Sequence, residues 1–265
     1  YTDPEIIRSI YLHLEKQGFK GGRILDPAMG TGNFFSAIPA DLRDNSQLYG
    51  VELDSLSGAI AKQLHPDTDV KVQGFETTAY NDKSFDLVIG NVPFADFSIM
   101  DDKYGKTYAI HDYFFKKSMD LVRDGGVVAF ITSTWTMNKK STQFRNELNG
   151  IASFVGGVRL PNDAFKHIPG TDVATDILFF KKGEYAHTID NWIDTAPIPN
   201  PSGGVLEGVV SNDYFTDLDK VAGQYITKNF HGKTLSVAPF DKPLIKQVDK
   251  ILDNQSFTFD SDLSS

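Results

Sequence analysis

Asn91-Val92-Pro93-Phe94 sets a side-chain amide, a fixed backbone turn and an aromatic ring directly after the apolar run Phe85-Asp86-Leu87-Val88-Ile89-Gly90. That grouping suits the activation of an exocyclic amine. An amino group on a heteroaromatic ring is a poor nucleophile because its lone pair is delocalised into the ring. The Asn91 side-chain oxygen and the Val92 carbonyl can each accept one amino hydrogen, which stabilises a pyramidal nitrogen and aims its lone pair. No strong base is needed. Pro93 would hold the loop rigid, and Phe94 would stack on a base removed from a duplex. Alone, an Asn-x-Pro-Phe sequence fits an ordinary turn equally well, so its position in the chain must decide.

The partner in such a reaction is read from Asp26-Pro27-Ala28-Met29-Gly30-Thr31-Gly32-Asn33-Phe34, which leaves a short apolar run and opens a helical one. This geometry brings glycine backbone against a nucleotide-like ligand. A dinucleotide loop would need a third glycine where Phe35 stands, and a P-loop would need a glycine-lysine pair here. Asp26 would repel a pyrophosphate but attract the ammonium and sulfonium groups of S-adenosylmethionine. About twenty residues on, Val51-Glu52-Leu53-Asp54 offers a carboxylate, Glu52, for both ribose hydroxyls, and Leu53 to lie on the adenine. Gly74-Phe75-Glu76 adds an acceptor, Glu76, for the cofactor's amino group. A generic doubly wound fold with acidic strand ends could carry one such acid; three acids at successive strand tips point to the methyl donor.

These loops must be positioned by strands, and strand-length apolar runs alternate with helical patterns up to about Lys182. That alternation predicts an α/β fold, a Rossmann-like, doubly wound and mostly parallel sheet. Seven strands are expected: 23–26, 48–52, 70–74, 85–90, 127–132, 153–160 and 174–181. Helices are expected at 4–17, 33–42, 55–64, 110–122 and 142–148. The catalytic domain is expected to occupy residues 1–183. Residues 184–265 then form an extension, with 196–204 read as a proline- and glycine-rich linker and a short helix at 243–252.

With 265 residues, 40% hydrophobic and 23% charged, the chain has the composition of an ordinary globular protein. No apolar run approaches the ~18 residues that cross a bilayer, and the start lacks a signal peptide, so a cytoplasmic setting is expected. The absence of cysteine excludes thiolate zinc sites and any thiolate nucleophile, and with it cytosine-C5 methylation. A net charge of -9 argues against a broad phosphate-binding surface. Local basic stretches exist at Lys116-Lys117 and from Lys139-Lys140 to Arg145, each of which also fits a solvated helix face. The six histidines show no metal spacing, and His111 reads as a helix-start residue. Asp101-Asp102 reads as a solvated loop, and methyl transfer from a sulfonium needs no metal. Gly232-Lys233-Thr234 is no phosphate loop, because Thr227 stands where the required glycine would be.

On these motifs the chain resembles the adenine-N6 DNA methyltransferases whose cofactor loop precedes the catalytic tetrapeptide, over residues 1–182. The match rests on Asp26 to Gly32, on the opening Tyr1-Thr2-Asp3-Pro4 and on Asn91 to Phe94, where Val92 replaces the family's first proline. Leu160-Pro161, Phe165 and Thr175-Asp176-Ile177-Leu178 resemble type I restriction modification subunits. Gly90 to Phe94 and Ile110-His111-Asp112-Tyr113-Phe114 resemble methylase domains of large methylase-helicase polypeptides of mobile elements. The resemblance implies a class I S-adenosylmethionine-dependent methyltransferase fold, with Tyr1 and Thr2 touching the cofactor's methionine moiety. It implies double-stranded DNA as substrate, with a helicase region or specificity subunit outside the chain, which would be part of a longer polypeptide. Two other readings stay open: a methyltransferase for protein glutamine or RNA guanine-N2, sharing the same loop, and a silent cofactor-binding scaffold.

Overall fold

The computed structural model describes residues 2–165, 174–183, 189–229 and 231–259. In chain order the elements are α1 (Pro4–Lys16), β1 (Arg23–Asp26), α2 (Asn33–Ser36), α3 (Ala40–Asp44), β2 (Gln47–Glu52), α4 (Ser55–Leu64), β3 (Asp69–Val72), β4 (Phe85–Asn91), β5 (Ser98–Asp101) and β6 (Lys106–Ala109). There follow α5 (Ile110–Leu121), β7 (Val122–Ser133), α6 (Trp135–Asn138), α7 (Gln143–Asn149), β8 (Ala152–Leu160), β9 (Thr175–Lys182), β10 (Thr195–Pro199), β11 (Val205–Asn212), β12 (Gln224–Asn229), β13 (Lys233–Ala238) and α8 (Leu244–Asp253).

The seven expected strands form one sheet in the order β3-β2-β1-β4-β7-β9-β8. β9 alone runs against its neighbours, and the pairs on the other side of β7 are parallel. Strand order reverses between β1 and β4, and the crevice at the carboxyl ends of these strands is where open α/β sheets bind ligands. β8 is buried along its whole length, as a strand covered on both faces must be. On one face α1 and α8 pack with Phe19, Phe35 and Leu42; on the other, α5 stacks Phe115 on Phe130 and Phe180.

Two expectations need correction. The helix expected at 33–42 is two short pieces, because Pro39, with no N–H to donate, caps α3 and ends the run. Residues 196–204, expected to be a linker, are β10 and its turn into β11. The prolines are tolerated because this is a two-stranded ribbon with free edges. Trp192, Tyr214 and Phe215 enter one core, while Val248, Ile251, Leu252 and Phe259 enter the other. A buried ion pair fastens this region to the sheet: Arg159 on β8 meets Asp176 on β9 at 2.8 Å and donates to Ser211 and Tyr225. The described apolar residues of this region are anchors spaced for a surface already present, not for a face of their own.

Candidate active site

Asp26 ends β1 in a fully buried position. Its Oδ1 accepts the Ala28 N–H at 3.1 Å, while its Oδ2 is shielded from solvent with no protein partner. Burial pushes its carboxyl up to about 8, and the nearby Glu52 carboxylate adds to the rise against the opposing Ala28 hydrogen bond. A buried acid with an unused oxygen is poised to be ionised by a cation. Gly90 on β4 lies against it, for a Cβ there would meet Asp26 Oδ1 at 2.5 Å. The tips of β1 and β4 therefore touch one residue before Asn91.

Glu52 at the tip of β2 accepts from the Gly30 N–H at 2.8 Å and the Asp54 N–H at 3.1 Å, one on each oxygen. Each oxygen has a further lone pair, so hydroxyls can still be accepted. Gly32 closes the loop with φ +97°, and its missing Cβ leaves room for the His65 ring, 2.4 Å from where that carbon would stand. His65, from the end of α4, was invisible to local patterning because only the fold brings it under the loop. Pro27 and Phe34 are buried, Ala28 and Asn33 partly so, and the Phe34 carbonyl accepts the Tyr11 hydroxyl at 2.9 Å. Leu53, next to Glu52 at the end of β2, is an apolar side chain 73% exposed. Glu76 is exposed on a single helical turn, 75–77, beyond β3, and its side chain folds back over Gly74. Phe75 packs on Phe114, ring centroids 5.0 Å apart. Tyr1 lies outside the described residues.

Asn91 closes β4, held by the Ile131 register and by the Val92 N–H donating to the Ile131 carbonyl at 2.9 Å. Its Nδ2 donates to the buried Thr2 hydroxyl at 3.1 Å, which leaves Oδ1 shielded and without a partner. Val92 is buried and Phe94 is half-buried at the mouth of a cavity of about 550 Å³. That volume is ample for a planar base. Phe94 shares the wall with Ala109, His111, Ser133, Trp135 and Phe165. The His111 ring stands 6.3 Å from Phe94 and 5.7 Å from Trp135, centroid to centroid, and Trp135 is 46% exposed at the rim. Sequence reading assigned His111 only to the helix start and gave Trp135 and Ser133 no role. They converge because β7 ends, and α5 begins, at the same sheet edge where β4 ends.

The basic stretches are mostly internal struts. Arg145 is buried and donates to the carbonyls of Ile193, Thr136 and Lys139, and Lys117 is buried against the Phe75 and Thr78 carbonyls. Lys139 pairs with Asp112, and Lys116 with Asp120. The Asp101 carboxylate accepts from the Tyr113 hydroxyl and the Lys103 N–H, and Lys233-Thr234 lies in the β12–β13 hairpin. Among the described residues no helix is long and apolar enough to cross a membrane.

The chain is similar to known proteins in sequence and in fold. It is 29% identical over 188 residues to the defense against restriction protein B of Escherichia phage P1, covering 69% of this chain and 8% of that protein. It is 27% identical over 209 residues to the type I restriction enzyme EcoEI methylase subunit of Escherichia coli, covering 68% and 41% respectively. The chain thus spans less than half the length of either relative. A Listeria monocytogenes structure assigned to the class I S-adenosylmethionine-dependent methyltransferases superposes with a TM-score of 0.59 at 20% identity, covering 73% of this chain and 64% of that one. The fold is that of this class, and S-adenosylmethionine is the cofactor expected of it. The acids at the tips of β1 and β2 fit that cofactor: Asp26 offers an unused buried oxygen, and Glu52 has lone pairs to spare. The Eco57I restriction-modification methylase profile matches residues 9–155, more than half of the sequence, and the chain belongs to that family.

Proposed function

We propose that this chain methylates the exocyclic N6 amino group of an adenine turned out of double-stranded DNA. The observation that carries this reading is the Asn91 Oδ1, a shielded acceptor without a partner, one residue beyond the Gly90 that lies against Asp26 and three before the Phe94 that lines the aromatic cavity. S-adenosylmethionine would supply the methyl group as an electrophile, held by Asp26 and Glu52, with the glycine loop and Leu53 beside it. Asn91 Oδ1 and the Val92 carbonyl accept the two amino hydrogens and draw the nitrogen out of the ring plane. Phe94 stacks on the base and replaces part of the stacking lost on leaving the duplex. The proton that the nitrogen sheds after transfer passes to solvent, since the nitrogen is strongly acidic once methylated and still protonated.

The aromatic walls favour a flat ring over the amide of a glutamine side chain, which would not need them. We assign the chemistry to residues 1–183, with 184–265 as its support. Choice of DNA sequence is assigned to a specificity subunit or helicase-linked region beyond this chain, since the relative from Escherichia coli is named as a methylase subunit.

The test is methyl transfer from tritiated cofactor to mixed-sequence DNA by the full-length protein, followed by digestion and chromatography. N6-methyladenine is the expected product. Asn91→Ala should lower turnover by about 10²–10³-fold, the usual loss for one preorganised polar contact at a reacting centre, and keep cofactor affinity within about twofold. Unchanged turnover in that variant, or label appearing only in protein or RNA, would end the assignment.

A further inference from the structure

We propose that His111 reads the ring edge of the target base beside its amino group and so sets which base the cavity accepts. The inference rests on the reading of the cavity as a base pocket. His111 lies in the first turn of α5, is 8% exposed, and lines the cavity opposite Phe94 and Trp135. Its Nε2 is shielded from solvent and has no hydrogen-bond partner among the described residues. The two other buried histidines each use one ring nitrogen and leave the second without a partner: His13 contacts Gln17 through Nδ1 at 3.5 Å, and His65 contacts Ser36 through Nε2 at 3.3 Å. Of the three, His111 alone lines the aromatic cavity.

Burial holds the His111 ring below its ordinary range, and the neighbouring Lys139 ammonium pushes the same way. The side chain is then a neutral imidazole with one N–H and one lone pair. The amino hydrogens of the base are taken by Asn91 and Val92. What remains beside the amine of an adenine are ring nitrogens, N1 on one side and N7 on the other, both acceptors. The imidazole N–H is the donor that meets one of them, and an unmet acceptor in a closed pocket is costly. Of the other side chains on the cavity wall, the Trp135 indole sits at the exposed rim, and Ser98, Ser133 and Thr175 carry hydroxyls, so the comparison of deaza bases with His111→Leu decides which donor meets the ring.

The test uses the full-length protein and three DNAs, containing adenine, 1-deazaadenine or 7-deazaadenine, each of which keeps the amino group. His111→Leu should lower kcat/KM on adenine DNA by about 10- to 100-fold, the loss expected for one buried hydrogen bond, with S-adenosylhomocysteine affinity and circular dichroism unchanged. One deaza substitution should cost the unaltered protein a similar factor and cost His111→Leu nothing more. His111→Gln, which restores an N–H, should recover most of the rate. Unaltered kcat/KM in His111→Leu, or a full further loss on both deaza DNAs, overturns the role of His111. If Phe94→Ala also leaves kcat/KM for DNA unchanged, the base-pocket reading itself fails; if only Phe94→Ala is impaired, that reading stands and the His111 inference alone falls.

Discussion

At the tips of β1 and β2 two carboxylates are gripped by backbone: Asp26 by Ala28, and Glu52 by Gly30 and Asp54. The cavity that Phe94 lines has the opposite character, with Trp135 and Phe165 also on its wall and unpartnered buried atoms on His111 and Thr175. The first half is assembled within some thirty residues of chain, and charge decides what it holds. The second half draws on five separate segments between Phe94 and Thr175, and shape decides what it holds. Asn91 belongs to neither by itself; its amide nitrogen is tied to Thr2 and its oxygen is buried without a partner.

Single substitutions should separate the two halves crosswise, and this is the largest contrast expected. Asp26→Ala should weaken cofactor binding by about 100-fold, the scale of losing a buried charged contact. DNA affinity should change little. Phe94→Ala should do the reverse: about a 10-fold or greater fall in kcat/KM for DNA, as base stacking on an aromatic ring is worth ~1–3 kcal/mol, with cofactor affinity kept. Calorimetry with S-adenosylhomocysteine and steady-state kinetics on DNA read the two effects independently. A Phe94 variant that lost cofactor and kept DNA would dissolve the division.

The same division explains what could be read from residues alone. Asp26, Gly32 and Glu52 are close in sequence and sit at strand tips, so their chemistry shows in a local pattern. All seven strands of the sheet were legible for the same reason, as strand-length runs rich in apolar residues with short boundaries. His111 and Trp135 were not legible as wall residues because a histidine at a helix start and a tryptophan after a strand have no local signature of a cavity; only the β4-β7 pairing and the packing of α5 bring them to Phe94. His65 beneath Gly32 was hidden likewise. The basic run ending at Arg145 misled because charge in a sequence does not say whether the group faces water; Arg145 is spent on three backbone carbonyls. Residues 196–204 were mistaken for a linker because proline marks loops in general and a ribbon edge only in context.

Thr2 sharpens the comparison at the junction. The family resemblance implies that it touches the cofactor, whereas the structure has it accept from the Asn91 amide at 3.1 Å. Thr2→Val keeps the shape and removes the acceptor, so the Asn91 amide is free to turn. If positioning is its role, kcat should fall about 5- to 10-fold, the effect of losing one neutral hydrogen bond of ~1 kcal/mol, while cofactor affinity and KM hold. Thr2→Ser should recover the rate. A rise in the dissociation constant for S-adenosylhomocysteine with kcat intact would instead return Thr2 to the cofactor half.

The smallest effect tests the charge logic of Asp26 without any ligand. Its folded-state carboxyl is raised to about 8 by burial, against an ordinary value of 3.8. The native state therefore holds a proton more tightly than the unfolded chain does. Stability from that proton is present in full below about pH 4 and is lost progressively as pH rises through about 8. Asp26→Asn keeps the neutral shape and the Ala28 contact but has no proton to lose. Its melting temperature should match that of the unaltered protein near pH 4, exceed it increasingly through pH 6 and 7, and level off above about pH 8. The plateau should reach at least about 4 °C, since ~1 kcal/mol moves the midpoint by about 2–4 °C in a domain of this size. A gap that stays constant between pH 5 and 9 would mean that Asp26 is ionised in the folded protein. The carboxylate would then be stabilised by its surroundings, and the cofactor half would no longer differ from the cavity by holding a charge in reserve.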